Sequence, residues 1–239
     1  KQEEEVDICK DVELSIRKKF RKSIWCKFTK AINQYELVKP GDRIAVCISG
    51  GKDSMLMAKL FQELKIHNKF DFEVKFLVMD PGYSPANRKV IEENARKLNI
   101  PITIFESDIF DSVYNIEKSP CYLCARMRRG HLYHFEGMEL IRPLYLVRED
   151  DIKAWRDYNG LHFIQCACKF TDTCTTCNNE ETRSKRVEVK QLIAKLKETN
   201  PFVESNIFKS VENVNLDTVI GYKAGGVRHH FLDTYDEKG

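Results

Sequence analysis

The stretch that most constrains the fold is Ile44-Ala45-Val46-Cys47-Ile48-Ser49-Gly50-Gly51-Lys52-Asp53-Ser54. A short apolar run stops at Ser-Gly-Gly, and Met55, Leu56, Ala58, Leu60 and Leu64 follow at helical spacing. The pattern predicts a buried parallel strand, a tight turn and a helix. Two glycines let backbone amides approach a ligand closely, and the helix N-terminus behind them favours an anion. Lys52 adds a mobile positive charge, and Ser49 and Ser54 add hydroxyls. Asp53 is a carboxylate beside a phosphate site, which makes sense chiefly as a partner for Mg²⁺. An ordinary strand-to-helix turn with a serine cap is the plainer reading. Six consecutive residues of fitting type at the end of a strand speak against it. The spacing also differs from the G-x-x-x-x-G-K-[ST] loop of ATPases.

Around this centre, strands and helices alternate. Glu73–Asp80 reads as a second strand, Asn87–Leu98 as a helix and Ile102–Phe105 as a third strand. That order predicts a doubly wound parallel sheet with ligands at the strands' carboxyl ends. Met79 and Asp80 would then share a rim with Ser49 and line a nucleotide pocket. Asp80 could equally be a turn residue before Pro81-Gly82. Val6–Gln34 reads as one long helix with apolar Ile8, Leu14, Ile16, Phe20, Ile24, Trp25, Phe28 and Ile32. Its polar side gathers Arg17, Lys18, Lys19, Arg21, Lys22, Lys27 and Lys30. Such a face is either simply solvated or in contact with an RNA backbone. Further on, Leu140–Leu144 reads as a strand end, and Arg148–Tyr158, Lys185–Lys197 and Pro201–Val211 as helices. Lys223–Gly239 reads as a polar, loosely held tail.

Composition matters most through the cysteines. The 239 residues include nine, with no secretory signal at the charged start Lys1–Glu5. Metal or redox chemistry in a reducing, cytoplasmic setting is expected rather than disulfides. No apolar run reaches membrane-spanning length. At 42% hydrophobic residues the chain can build a real core, and a net charge of +3 leaves partners to be argued from local patches. Cys121-Tyr122-Leu123-Cys124 precedes Arg126, Arg128 and Arg129, a setting that lowers thiol pKa and suits thiolate ligands. A simple zinc or structural pair is the alternative. Cys166, Cys168, Cys174 and Cys177 form a second group that could make a separate zinc site. Cys9 and Cys26 lack partners at ligand spacing and are expected to be packing residues.

Ser-Gly-Gly-Lys-Asp-Ser resembles the pyrophosphate (PP) loop of the adenine-nucleotide α-hydrolase superfamily, whose members cleave ATP between the α and β phosphates. The loop, the Cys121/Cys124 pair with its arginines, and Cys166 after Phe163-Ile164 together resemble the tRNA 2-thiocytidine synthetase (TtcA) family. The resemblance spans roughly Lys22–Tyr222 and includes Ile141-Arg142-Pro143-Leu144 and Glu212-Asn213-Val214. It implies a Rossmann-like α/β domain over residues 41–165, an N-terminal helical extension over 1–40 and a cysteine-rich helical segment over 166–239. It implies ATP bound by Ser49, Gly50, Gly51, Lys52, Asp53, Ser54, Met79 and Asp80, with Mg²⁺. Cys121, Cys124 and Cys166 match three ligands of a [4Fe–4S] cluster whose fourth iron stays open. With Asp53 they form the expected catalytic set, and tRNA is expected at Arg126, Arg128 and Arg129. The implied activity is ATP-dependent replacement of a base carbonyl oxygen by sulfur, C2 of a cytidine in the family. It uses a sulfur donor such as a cysteine desulfurase, and a homodimer is among the allowed assemblies. The alternatives are an adenylating or sulfur-handling enzyme with another substrate, and a metal-stabilised RNA-binding protein. One departure stands out. The family places a strand between the arginine-rich helix and Ile-Arg-Pro-Leu, and none is legible here between Tyr133 and Phe135.

Overall fold

A computed structural model describes residues 8–67, 70–107, 138–164, 185–212 and 214–234. The chain divides into two units, Lys1–Cys174 and Thr175–Gly239. In the first, β1 (Arg43–Cys47), β2 (Glu73–Asp80) and β3 (Ile102–Glu106) form a parallel sheet in the order β1-β2-β3. The helices α3 (Lys52–His67) and α4 (Pro85–Lys97) are the crossovers. The α/β class with a parallel sheet is therefore as expected. Both crossovers step in one direction, and the expected second winding falls outside the described residues. Register pairs Val46 with Phe76 and Phe76 with Ile102. Val46, Phe76 and Val78 thus bury one sheet face with Met55, Leu56, Leu60 and Phe61 of α3.

The N-terminal helix is not continuous. It runs as α1 (Ile8–Arg17), a π-type turn over Arg21–Trp25, and α2 (Cys26–Gln34). The spacing of its core residues explains the break. Val12, Ile16, Phe20, Ile24 and Phe28 recur every fourth residue and are all buried. A straight α-helix turns about 100° per residue, so steps of four drift by about 40° each and would carry the stripe round to solvent. Underwinding at Phe20, whose carbonyl accepts from both Ile24 and Trp25, resets the phase. Ile8 and Leu14, expected inside, are exposed instead, and Val12 replaces them.

Lys59 pins this extension to the sheet. Its ammonium is 1% exposed and donates to Glu13 at 2.7 Å and to the Leu98 carbonyl at 3.0 Å. Burial opposes ionisation of Glu13, but the bond and charge of Lys59 prevail and hold its carboxyl below the usual range. Cys9 contacts the same lysine at 3.4 Å, and burial raises its thiol pKa. Cys26, expected to pack, is exposed.

Two further expectations are corrected. Leu140–Leu144 forms no strand; irregular chain leads into turns, with Tyr145 donating to Arg142 and Val147 to Leu144, and Leu140 is exposed. Pro143 removes a ladder donor there. The helix α5 (Glu149–Tyr158) follows as expected. In the second unit, α6 (Lys185–Thr199) and α7 (Val203–Ser210) precede a hairpin of β4 (Gly221–Ala224) and β5 (Val227–His230). This hairpin replaces the loose tail. Gly225 and Gly226, with φ of +55° and +81°, supply the two-residue turn that matches strand twist.

Candidate nucleotide site at the first strand's end

β1 delivers the loop to the sheet's carboxyl rim. Ile48 donates to the Leu77 carbonyl at 2.7 Å, the last bond of that ladder, and the chain then turns. Gly50 has φ +82°, and a Cβ there would lie 2.6 Å from Ile91 Cγ1 and 3.3 Å from Ile164 Cδ1. Only glycine fits a left-handed backbone pressed so closely against α4. Ile164 also donates its N–H to the Gly50 carbonyl at 3.3 Å, and Asn94 holds the His162 carbonyl at 2.9 Å. The segment before Cys166 is thereby fastened to the loop. Gly51 is different: its nearest atoms lie 3.7 Å from an added Cβ, so packing does not demand glycine there.

Ser54 closes the turn from inside. Its hydroxyl donates to the Gly51 carbonyl at 2.9 Å, accepts from the Ser49 amide at 3.2 Å and lies 3.3 Å from the Ser49 hydroxyl. Both serines therefore brace the loop's shape. Lys52 opens α3, a 16-residue helix whose N-terminus carries positive partial charge. Its side chain lies 3.2 Å from Asp53 and 3.5 Å from Glu149, the first residue of α5. Glu149 is a site residue that the sequence reading passed over. Its position read only as one of three acids, Glu149, Asp150 and Asp151, opening a helix.

Asp80 is buried, and its carboxylate accepts from the amides of Gly82 at 2.9 Å and Tyr83 at 2.7 Å. Arg88 lies 3.3 Å from its other oxygen and 2.6 Å from Glu106. The bond from Glu106, ahead of that from Glu92, raises the Arg88 pKa further. Asp80 thus holds the turn on the rim where β2 ends. Met79, half-buried, precedes it in β2.

This donor set suits a polyphosphate. The amides of a glycine turn, a helix N-terminus and one lysine converge on one rim. For Mg²⁺ the loop offers Asp53, an exposed carboxylate, and the remaining positions would fall to phosphate oxygens and water. Among the described residues no group of three or more acidic, histidine or cysteine side chains could hold a metal. Cys121, Cys124, Cys166, Cys168, Cys174, Cys177, Arg126, Arg128 and Arg129 lie outside the described residues. On the N-terminal extension, Arg17 pairs with Glu63, Lys27 with Asp151, and Lys19 sits over the Tyr158 ring. Lys18, Arg21, Lys22 and Lys30 are exposed. No helix among the described residues is long and apolar enough to cross a membrane.

Comparison with known proteins bears out the resemblance read from the sequence. No family model matches the chain. A curated tRNA-cytidine(32) 2-sulfurtransferase of Acaryochloris marina is 28% identical, over 78% of this chain and 79% of its own. One from Geotalea uraniireducens is 27% identical, over 77% and 88%. The Acaryochloris alignment extends over 233 residues, whereas 78% of 239 is about 186, so part of the relative's matched span has no counterpart here. Among solved structures, the U34-tRNA thiolase NcsA from Methanococcus maripaludis with its [4Fe-4S] cluster matches with a TM-score of 0.57. It covers 82% of each chain at 16% identity, a likeness of fold.

Proposed function

We propose that this chain, whose curated homologues are tRNA-cytidine(32) 2-sulfurtransferases, is an ATP-dependent tRNA thiolation enzyme. The observation that carries the reading is the loop itself. Gly50 is locked at φ +82° beneath Ile91, and Lys52 opens the helix behind it. A carbonyl oxygen is a poor leaving group, and ATP makes it a good one. The base oxygen attacks the α-phosphate, the bond to the β-phosphate breaks and pyrophosphate leaves. The loop amides and Lys52 stabilise the charge that gathers on that pyrophosphate. A sulfur nucleophile then bonds to the base carbon, and AMP departs with the former carbonyl oxygen. Asp53 would hold Mg²⁺ against the same phosphates.

Cys121, Cys124 and Cys166 would hold a [4Fe–4S] cluster, which supplies an iron open to the sulfur being transferred. The sulfur comes from a separate donor such as a cysteine desulfurase. The reacting carbon is C2 of a cytidine, and the tRNA lies across Arg126, Arg128 and Arg129 and the exposed Lys18, Arg21, Lys22 and Lys30, whose phosphate contacts make binding salt-dependent. Ile164, two residues before Cys166, bonds to Gly50, which supports a cluster close to the nucleotide.

The test replaces each of the six cysteines from Cys121 to Cys177 by alanine and reconstitutes each variant without oxygen. Loss of iron and of thiolated nucleoside is expected for Cys121, Cys124 and Cys166 alone. Cys168, Cys174 and Cys177 should affect zinc content or stability. A full, active cluster in Cys166→Ala would overturn the ligand set.

A further inference from the structure

Cys9 and Lys59 meet where the N-terminal extension crosses α3. Cys9 and Glu13 stand four residues apart on α1 and so share one of its faces. Both side chains reach Lys59, whose neighbours Ala58, Leu60 and Phe61 are core residues. An ammonium has three protons to donate, and this one has three acceptors: Glu13 Oε1 at 2.7 Å, the Leu98 carbonyl at 3.0 Å and Cys9 Sγ at 3.4 Å. The sulfur itself lies 3.3 Å from Glu13 Oε1. Nitrogen, sulfur and carboxylate oxygen therefore form a triangle in which each atom touches the other two.

A buried ammonium requires a counter-ion and good acceptors, which Glu13 and the Leu98 carbonyl already supply. A thiol is a weak acceptor, so Cys9 adds little as a prop for the charge. Its position suits reaction instead. Cys9 is half-buried, so a small oxidant reaches its sulfur, while the Lys59 side chain is 1% exposed and already in contact with it. An oxidised sulfur is electrophilic, and the amine beside it has a carboxylate to take its proton.

We propose that Cys9 and Lys59 are an oxidative modification site, closed by a peroxide into a sulfur–nitrogen bridge between α1 and α3. Hydrogen peroxide oxidises the thiol to a sulfenic acid; its O–O bond breaks, sulfur gives up two electrons and one water leaves. Lys59 passes a proton to Glu13, and the neutral amine attacks the sulfur. The S–N bond forms, the S–O bond breaks, and the hydroxyl departs as water with the proton that Glu13 returns. A second amine proton goes to solvent, so the bridge is neutral. Burial raises the Cys9 thiol pKa, which keeps the thiolate scarce and the first step slow. The site is separate from the nucleotide loop and independent of the thiolation reading.

Peptide mapping of the full chain by mass spectrometry tests it. The chain is treated with hydrogen peroxide, free thiols are alkylated, and the digest is read with and without dithiothreitol. The expected product is a linked pair of peptides, one holding Cys9 and the other Lys59, lighter than their sum by about 2 Da for the two hydrogens lost. Trypsin should not cleave after Lys59 in that product, and dithiothreitol should return both peptides unmodified. Chain unfolded in guanidinium before oxidation should give no linked pair. Cys26, which is exposed, reports that the oxidant has acted. Lys59→Arg keeps the charge without the amine, and there Cys9 should proceed to the irreversible sulfinic acid. Cys9 that gains oxygen or pairs with another cysteine while Lys59 stays cleavable would overturn the proposal. So would a Cys9 left untouched when Cys26 is fully oxidised, or a linked pair formed equally in the unfolded chain.

Discussion

Replacing Gly50 by alanine tests whether the loop is held in shape by packing. The substitution forces a non-glycine residue to φ +82°, which costs about 1–2 kcal/mol. The new Cβ would start 2.6 Å from Ile91 Cγ1, against 3.4 Å or more for ordinary contact. Ile91 is buried and β-branched on α4 and has little room to yield. Overpacking of this kind adds about 1–3 kcal/mol, for a total of about 2–5 kcal/mol. For a unit of this size each kcal/mol moves Tm by about 2–4 °C, so thermal denaturation should show a drop of about 4–20 °C. Ile91→Ala removes the clashing atom, and in that background Gly50→Ala should cost only the backbone strain. The two substitutions should then couple by about 1–3 kcal/mol. Gly51→Ala is the internal control. It meets nothing closer than 3.7 Å, so stability should change by less than about 0.5 kcal/mol, while ATP affinity falls at least about tenfold, or about 1.4 kcal/mol. A Gly50→Ala protein as stable as the parent, or no coupling to Ile91, would refute the reasoning.

Lys52 and Glu149 should behave as a pair. Glu149→Gln should raise the KM for ATP by less than about fivefold, the reach of a partly exposed ion pair, and should do nothing in a Lys52→Met background; an undiminished effect there would place Glu149 elsewhere in the mechanism. The Glu13–Lys59 clamp predicts an acid limb of stability. Folding depresses the Glu13 pKa below its reference of 4.5, so its contribution is present above that pH and is lost as pH falls through the lower folded value. Glu13→Gln should flatten denaturation midpoints measured between pH 5 and 3, and Glu13→Ala, which strands a buried ammonium, should cost about 3–5 kcal/mol at pH 7.

Much of this was legible because local chemistry and fold agree. β2 was readable to the residue, since Glu73 and Asp80 bracket a run that is apolar but for Lys75. The following helix was legible as Asn87–Leu98, but its start two residues earlier, with Pro85 at the first position and the Ser84 hydroxyl accepting from the Asn87 amide, was passed over. The break in the N-terminal helix was not, because apolar residues four apart satisfy a helical template while drifting around it. The hairpin at Gly225-Gly226 carried a turn signal, but polar flanks hid it. At the site, the Ser49–Ser54 loop declared itself through residue type and order. Glu149 and Ile164 did not, because each reaches the loop from about a hundred residues away, and only the packing of α5 and of the chain beyond it brings them there. The cysteine assignments rest on the family resemblance, and the residues they name lie outside the described ones.

The most direct measurement follows the fate of ATP. The protein, reconstituted without oxygen, is incubated with ATP, Mg²⁺, sulfide and tRNA, and both nucleotides and nucleosides are analysed. The account predicts AMP and pyrophosphate, one of each per cytidine converted to 2-thiocytidine, with both products lost in Lys52→Met. Release of ADP and orthophosphate, or thiolation without any consumption of ATP, would contradict it.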